Sequence, residues 1–454
     1  MSSTSSTLNS VLTALGGTTG IDVTSAVNTI LYADRAPERG WQAQQATLAS
    51  QTSAINQLES ESSSLTDALS ALQATNGSLS SVNATSSNTS QLTATATPGT
   101  ATSNHVITIN SLATTGSWYS DAQSSSSATL TTGSFDITIG GTTKTIQVGG
   151  SSGNNTLDQL AASINSQSLG LTANIVTDSS GARLSLVSTT SGAAGDFSIS
   201  NDTTAAFTRS GTGADASLKI DGVPITSASN TVTGAISGVT LNLQGATSGA
   251  GISLAIAPDT ESITSAVTTF VNAYNTLYAD VNNQIGYNKS TSTAGVLQSD
   301  SAIQALQSAL LASTNYSSGA STFPSLDSLG ITTNSDGTLT LNQITLNSAI
   351  QTNSAAVANF FQGSAFNGFA ASLSSTLNTY TDPTQGAFTV DLKSIASENQ
   401  ALTDQTNTLE LYLSSQQTIL TAQYNAADIA IQQLPQKLKQ IQALLNPNQN
   451  SSSS

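Results

Sequence analysis

The sequence lacks most of the side chains that carry catalysis. It has no cysteine, one histidine (His105) and one methionine. Disulfides, thiolate nucleophiles and cysteine-based metal sites are therefore excluded, and a histidine-rich metal site is impossible. A Ser-His-Asp triad would have to use His105, which lies in an alternating strand pattern typical of an ordinary strand residue. We expect no catalytic residue, no metal ligand and no cofactor.

Charge is also scarce. Charged residues make up 8% of the chain, and 10 Lys plus Arg face 26 Asp plus Glu, for a formal net charge of -16. The basic residues are scattered singly, apart from Arg35 with Arg39 and Lys437 with Lys439. Nucleic-acid binding needs clustered cations, so this distribution excludes it as the expected function.

Long apolar runs are missing as well. A membrane helix needs about 18 or more consecutive apolar residues, and the sequence has no such run, so we expect no membrane insertion. Residues 1–20 carry no Lys or Arg and are rich in Ser and Thr, which differs from the basic start and apolar core of a Sec signal. If the chain leaves the cell, we expect another export route.

Apolar residues recur with a heptad spacing near both ends of the sequence, as the seam of a coiled coil requires. The N-terminal seam predicts interface residues Trp41, Leu48, Ile55, Leu58, Leu65, Leu69 and Leu72. The C-terminal seam predicts Leu392, Ile395, Leu402, Leu409, Leu413, Leu420, Leu434 and Ile441. The two seams could pair as antiparallel helices within one chain, or each could pack on another subunit. We expect interruptions at Pro37 and Gly40 and a kink or break at Pro435.

Between the seams the apolar period changes from helical to alternating. Strands are predicted at 105–109, 135–139 and 145–148, among others up to 252–256, with hairpin turns at Gly140-Gly141 and Asp221-Gly222. Residues 263–285 carry a clean helical stripe, and further helices follow. Trp118 and Tyr119 fall in a Gly/Ser-rich stretch that predicts an exposed loop. They are candidate contact residues of the β-rich region.

Several segments, taken in order, resemble the bacterial flagellar filament-capping protein family, also called hook-associated protein 2 or FliD. Residues 20–24 and 35–37 resemble its opening motif, and residues 157–164, 170–173 and 183–186 are similar to a module shared by flagellin and hook-associated proteins. The largest similarity covers residues 214–243 and continues through 271–275, 329–333, 336–339 and 357–360.

This resemblance implies a structural role and no enzyme. Family members form a homo-oligomeric ring at the distal tip of the flagellum, where they promote folding and insertion of flagellin. The implied partners are other copies of the chain, flagellin, the hook-filament junction proteins and an export chaperone that binds the C-terminal helix. Export through the flagellar type III apparatus and an extracellular location are also implied.

The resemblance and the periodicities together predict a multi-domain α+β chain. Its expected parts are a flexible export segment (1–20), a terminal antiparallel coiled coil (21–75 with 391–445), a helix-rich leg domain (76–103 with 257–390), a β-rich head (104–256, with the flagellin-type module near 128–188) and a disordered tail (446–454). The alternatives are a surface adhesin or glycan-binding tip protein that uses the β head, and flagellin itself.

Two physical expectations follow. Polar residues such as Ser62, Asn399 and Gln416 interrupt the seams and lower coiled-coil stability. Residues 21–75 and 391–445 are therefore predicted to be labile in the free protein. Because ionisable groups are few, contacts between subunits are predicted to respond weakly to pH and salt.

Overall fold

A computed structural model describes residues 22–247, 249–288, 292–320 and 322–445. The predicted export segment (1–20) and the predicted tail (446–454) lie outside these residues. Both therefore stay predictions. The helices in the described residues are α1 Val23–Asp34, α2 Ala36–Gln73, α3 Leu157–Ser166, α4 Thr260–Ile285, α5 Ser301–Ser313, α6 Gln343–Gln362, α7 Phe369–Thr381 and α8 Ala387–Leu445.

The strands lie mostly between α2 and α4. They are β1 Val82–Ser86, β2 Leu92–Ala96, β3 Ser103–Ser111, β4 Ser117–Tyr119, β5 Gly133–Ile139, β6 Thr142–Val148, β7 Leu171–Asp178, β8 Gly181–Ser188, β9 Phe197–Ser200, β10 Thr208–Gly211, β11 Ala216–Ile220, β12 Val223–Ser227, β13 Thr231–Ile236, β14 Val239–Leu243, β15 Ile252–Pro258, β16 Tyr287–Asn288, β17 Thr293–Ala294, β18 Ile331–Thr333 and β19 Leu339–Leu341. The predicted α+β class is confirmed.

The described chain divides into two compact units. The helical unit contains residues 22–66, 273–313 and 373–445, and the β-rich unit contains residues 67–272 and 314–372. Helices α2 and α4 each contribute one part to either unit. The predicted domain boundaries stay a prediction.

The helical unit is a bundle whose helices bury apolar side chains. Helix α1 begins at Val23, and the preceding residue Asp22 caps it, because its Oδ1 accepts a hydrogen bond from the Ser25 amide at 3.0 Å. The fully or almost fully buried side chains of the bundle come from α2, α4, α5, α7 and α8: Ile55, Leu58, Leu65, Tyr274, Leu277, Val281, Ile303, Leu306, Leu310, Leu373, Leu377 and Phe388.

The two ends of the chain pair antiparallel within this unit. The Arg35 Nη2 donates to Glu410 Oε2 at 2.9 Å, and Gln45 Nε2 donates to Thr403 Oγ1 at 3.2 Å. Residue numbers rise on one helix as they fall on the other, which fixes the direction. Within this single chain the two segments pair with each other, and packing of each seam on another subunit stays a prediction.

Proline does not break the helices where the sequence predicted it would. Helix α1 ends at Asp34 and α2 begins at Ala36, so the break lies before Pro37, and Gly40 is inside α2. Proline is tolerated in a first helical turn because its missing N–H would have no partner there. Helix α8 continues through Pro435 as one helix. This part of α8 is mostly exposed, and water can bond to the carbonyl that proline leaves without a donor.

Two pairs of antiparallel sheets build most of the β-rich unit. The five-stranded sheet β1-β15-β3-β11-β12 and the three-stranded sheet β13-β14-β2 share one apolar core. The four-stranded sheet β10-β4-β8-β7 and the three-stranded sheet β6-β5-β9 share a second core with α3. The predicted hairpins are confirmed, because Ile139 pairs with Thr142 across Gly140-Gly141, and Ile220 pairs with Val223 across Asp221-Gly222.

An aromatic cluster packs between the helices of the β-rich unit. Phe270 on α4 and Phe369 on α7 meet edge to face with ring centroids 5.4 Å apart. Phe360 on α6 stacks on Phe369 at 5.8 Å, and Tyr316 meets Phe360 at 5.7 Å. Such ring pairs stabilise a core beyond their buried area.

Candidate assembly surfaces

The N-terminal seam is packed inside the chain. Leu48 is 6% exposed, and Ile55, Leu58, Leu65, Leu69 and Leu72 are fully buried. Trp41 is the one member that stays half-buried. Leu69 and Leu72 belong to the β-rich unit and the others to the helical unit. The sequence located an apolar row, and in this structure its partners are side chains of the same chain. A role of the row in contacts between subunits stays a prediction.

The C-terminal seam changes character along α8. Its members are buried at Leu402 and Leu413, half-buried at Leu392, Ile395, Leu409 and Leu420, and exposed at Leu434 and Ile441. The early part of α8 therefore packs into the bundle, whereas its late part presents apolar side chains to solvent.

A small cluster joins α1 to α8. Val27, Leu31 and Leu413 are buried there, and Leu420 and Tyr424 pack against them while only partly buried. An exposed charged pair lies beside the cluster. The Arg35 guanidinium bonds both carboxylate oxygens of Glu410 and also pairs with Glu38 at 2.9 Å. The hydrogen bond from Arg35 holds the pKa of Glu410 below its usual value.

The outer side of the pairing carries a shallow apolar groove. Its apolar lining comes from Trp41, Leu409 and Tyr412, and its polar lining from Asp404, Gln405 and Thr408. The volume of the groove is about 540 Å³. Tyr412 is 53% exposed, so the groove opens to solvent.

An exposed apolar stripe continues from this groove along α8. We define the α8 stripe as Tyr412, Ile419, Leu434, Ile441 and Leu444, whose exposures run from 42% to 79%. At about 100° per residue these five lie within about 40° of one line on the helix. Tyr412 and Ile419 were missed by the heptad analysis because they lie outside its two rows. The sequence feature that could have identified Tyr412 and Ile419 is their spacing of seven residues.

Trp118 and Tyr119 lie in a strand, and the predicted exposed loop is wrong. They form part of β4, which pairs with β8 and β10. Trp118 Nε1 donates to the Phe197 carbonyl at 3.0 Å, and the Arg209 guanidinium lies 5.7 Å from its ring centroid. Strand pairing and these contacts leave both residues half-buried. Their role as contact residues stays a prediction.

His105 is held in a hydrogen-bonded chain at one end of the five-stranded sheet. Its Nδ1 lies 2.7 Å from Asp221 Oδ2, and its Nε2 lies 3.0 Å from Ser103 Oγ. Asp221 Oδ1 also accepts from the Val106 amide at 2.8 Å. Ser103 pairs with Ile256 in a regular ladder, unlike the sharp turns on which nucleophilic serines sit. The chain of bonds ties β3 to the β11–β12 turn.

The part of the chain that the structure describes lacks two kinds of feature. Within it, no group of three or more His, Cys, Asp or Glu side chains could hold a metal ion. Within the same residues, no helix combines the length and the apolar character that crossing a membrane requires.

Three family models match the chain. The model of the flagellar hook-associated protein 2 N-terminus matches residues 19–116, and the model of its C-terminus matches residues 213–436. The flagellin hook IN motif matches residues 134–190, between them.

Curated relatives agree with the family models. The B-type flagellar hook-associated protein 2 of Pseudomonas aeruginosa is 30% identical over 234 residues, which are 50% of this chain and 48% of that protein. Flagellar hook-associated protein 2 of Vibrio cholerae is 29% identical over 231 residues, which are 49% of this chain and 34% of that protein. The alignments thus span about half or less of the relatives' own lengths.

The fold has a counterpart among solved structures. The D1-D2-D3 domains of the flagellar cap protein FliD from Escherichia coli superpose with a TM-score of 0.60 at 24% identity, covering 76% of this chain and 99% of that one. This similarity bears on the fold alone. Because the N-terminal and C-terminal models of one family match in order, and relatives from two organisms carry that family's name, the chain belongs to the flagellar hook-associated protein 2 family.

Proposed function

We propose that several copies of this chain form the cap of a bacterial flagellar filament. The cap is a ring at the distal tip that promotes the folding and insertion of flagellin and prevents its loss as monomer. The observation that carries the proposal is the ordered match to both hook-associated protein 2 models. The similarity of fold to a flagellar cap protein supports it. The role is structural and needs no cofactor.

The α8 stripe is the surface that we assign to filament partners. Its five apolar side chains are 42–79% exposed among the described residues, and burial of a large apolar side chain contributes about 1.5–3 kcal/mol. An amphipathic helical surface on flagellin or on a hook-filament junction protein is the matching partner, since two apolar helical faces exclude water when they pack. The Trp41 groove continues the same surface.

The same stripe supports the proposal of an export chaperone. Leu434, Ile441 and Leu444 lie in the last turns of α8 and are 42%, 50% and 79% exposed. An exposed apolar face of this kind is an aggregation hazard before assembly. A chaperone that covers it, and releases it on export through the flagellar type III apparatus, would remove the hazard. The assembled protein is then located outside the cell at the filament tip.

Fewer observations support the adhesin alternative. Its proposed contact residues, Trp118 and Tyr119, are half-buried in β4, and Arg209 and Arg183 lie over their rings. The relatives reported above are hook-associated proteins, and none of them favours adhesion.

Deletion of the gene tests the proposal. We expect loss of motility, and flagellin monomers in the culture medium, and we expect the wild-type gene to reverse both. A deletion strain that stays motile and retains its flagellin would contradict the cap role.

Complementation with variants tests the stripe separately. Leu434→Asp combined with Ile441→Asp should fail to restore motility, because two carboxylates would enter an apolar contact. Gln433→Asp combined with Gln440→Asp is the matched control, with the same charge change on the neighbouring exposed positions, and it should restore motility. Equal restoration by both pairs would leave the cap role standing and refute the role of the stripe.

A further inference from the structure

The helical unit contains carboxyl oxygens that have no partner. Glu61 Oε2, Asp280 Oδ2 and Asp391 Oδ2 are all shielded from solvent and make no hydrogen bond in the described residues. The hydroxyl of Ser62, the residue after Glu61, is equally shielded and unpartnered, and Ser62 is 0% exposed. An ionised carboxylate in such a place is costly, and it usually pairs or takes up a proton.

Glu61 on α2 and Asp280 on α4 form the first pair. In each carboxyl group one oxygen is satisfied by an amide of its own helix. Glu61 Oε1 accepts from Gln57 Nε2 at 2.6 Å, and Asp280 Oδ1 accepts from Gln284 Nε2 at 3.3 Å. The second oxygen of each group is the unpartnered one. Burial raises the pKa of Glu61, the hydrogen bond from Gln57 lowers it by less, and the negative charge of Asp280 adds a smaller rise.

Asp391 on α8 and Asp300 form the second pair. Asp300 caps α5, because its Oδ1 accepts from the amides of Ala302 at 2.9 Å and Ile303 at 3.2 Å. Burial raises the pKa of Asp391, and the charge of Asp300 raises it further. Asp391 therefore has a second acidic side chain acting on it, and its own Oδ2 has no donor in the described residues.

The ionisable groups on the neighbouring helices offer no compensating cation. Helix α4 contributes Asp280 and the phenols of Tyr274 and Tyr278 to the helical unit, and α7 contributes the phenol of Tyr380. In the described residues near these pairs, α5 adds only its cap, Asp300.

Several charged side chains near α1, α2 and α8 have other partners. Arg35 bonds Glu38 and Glu410, Arg39 lies over the Tyr32 ring, Lys393 Nζ donates to the Thr384 carbonyl, Glu398 accepts from Gln44, and Asp404 accepts from Gln400. Glu59 is the remaining acid of α2 in this unit, and it adds negative charge. Lys437 and Lys439 follow Asp391 by more than 40 residues of continuous helix, or about 70 Å. Lys289 lies outside the described residues.

We propose that the pairs Glu61 with Asp280, and Asp391 with Asp300, are proton-binding sites, and that each takes up one proton as the medium becomes acidic and thereby stabilises the helical unit. The proton adds to a carboxylate oxygen and no other bond changes. A protonated carboxyl carries no charge, so it costs less to bury than a carboxylate does. One charge of each repelling pair disappears at the same time.

The direction of the effect follows from linkage. The pKa of Glu61 is raised in the folded state from an unfolded value of 4.5. Its stabilising contribution is therefore fully present below about pH 4.5 and is lost as the pH rises through the folded-state pKa. Asp391 behaves in the same way from an unfolded value of 3.8. Between the unfolded-state pKa and the folded-state pKa of a group, its proton changes the folding equilibrium constant by up to about tenfold per pH unit.

The two tryptophans allow the helical unit to be followed by itself. Trp41 belongs to the helical unit and Trp118 to the β-rich unit. In the full chain with Trp118→Phe, the fluorescence of Trp41 reports urea unfolding of the helical unit. We expect the urea midpoint to be higher at about pH 5 than at about pH 7.5. Hydrogen exchange of residues 48–66 in the unaltered chain, corrected for intrinsic rates, is a second readout and should show slower exchange at the lower pH.

Charge-removing variants identify the groups. Glu61→Gln should raise the midpoint at about pH 7.5 and flatten the pH dependence, and Asp391→Asn should add to the effect. Glu59→Gln, two residues away on the same helix, is the control and should keep the pH dependence. A flat or falling midpoint on acidification, or a loss of stability in Glu61→Gln at neutral pH, would overturn the proposal. A rise in the midpoint with millimolar CaCl₂ at neutral pH would also overturn it, because the ligand would then be a metal cation.

Discussion

The α1–α8 cluster is small, and substitution of Leu413 by alanine should detach α1. Leu413 is 2% exposed, and among the described residues Val27 and Leu31 are the other buried members of the cluster. Leu→Ala removes three carbons, worth about 0.8 kcal/mol each, and the remaining cavity adds to this, so we expect a loss of about 2–4 kcal/mol. Ordering the backbone costs about 1–2 kcal/mol per residue, so loss of the Leu413 contact favours the open form of α1.

Hydrogen exchange with mass spectrometry measures this effect locally. A loss of about 2 kcal/mol corresponds to roughly 30-fold faster exchange if α1 opens independently. We expect that increase in residues 23–34, and little change in residues 48–66, whose side chains lie in the main bundle. Leu411→Ala is the matched control, because Leu411 is two residues away on the same helix and 76% exposed. It should leave both segments unchanged.

Two results would refute this reasoning. Equal loss of protection in both segments would mean that α1 and the bundle unfold as one cooperative unit. Unchanged exchange of α1 would mean that the cluster does not hold it. The same data bear on the prediction that residues 21–75 and 391–445 are labile as a whole. Burial differs strongly between α1 and residues 48–72, so the two segments can differ in exchange rate.

Three smaller perturbations probe the β-rich unit through Trp118 fluorescence and urea midpoints. Asp259→Ala removes the cap of α4 and should cost about 1 kcal/mol, whereas a result near zero would contradict the capping role. Gly181→Ala places a Cβ 2.1 Å from the Gln123 carbonyl oxygen at φ +129° and should cost more than about 1 kcal/mol; Gly140→Ala, with open space around it, should cost less. Burial alone would raise the pKa of Asp202, but hydrogen bonds from three backbone amides lower it below the usual value. The ionised Asp202 therefore stabilises the fold, and this contribution should be lost as the pH falls through the folded-state pKa. Asp202→Asn should weaken this acid sensitivity.

Local patterns predicted the elements whose signals are contained in a short segment. The apolar stripe that begins at Ile263 became α4, because a spacing of three and four residues is sufficient to define one helical face. The turns at Gly140-Gly141 and Asp221-Gly222 were predicted for a similar reason, since a two-residue hairpin is specified by its own sequence.

Elements whose partners are distant in sequence were missed. Strands β1 and β2 lie in a Ser/Thr-rich segment without a clear period, and they form because Val82 pairs with Pro258 and Leu92 pairs with Leu243. Trp118 lies in β4 for the same reason, because Leu186 and Arg209 approach it from remote segments. Strand propensity depends on such tertiary contacts more than on local sequence.

The carboxyl pairs were invisible to sequence analysis for a related reason. Glu61 and Asp280 are 219 positions apart, and nothing in either segment predicts that burial will isolate their oxygens. The prediction that contacts between subunits respond weakly to pH concerns a different surface. The pairs lie inside one chain, so an acid-stabilised helical unit and a pH-insensitive assembly are compatible.

Electron microscopy of filament ends tests the central claim most directly. Averages of distal ends from the wild-type strain should show a closed ring of density at the tip, averages from the deletion strain should show bare ends, and complementation with the gene should restore the ring. Bare wild-type ends would contradict the proposed cap, and so would density from this chain distributed along the filament, which is the result expected for a flagellin.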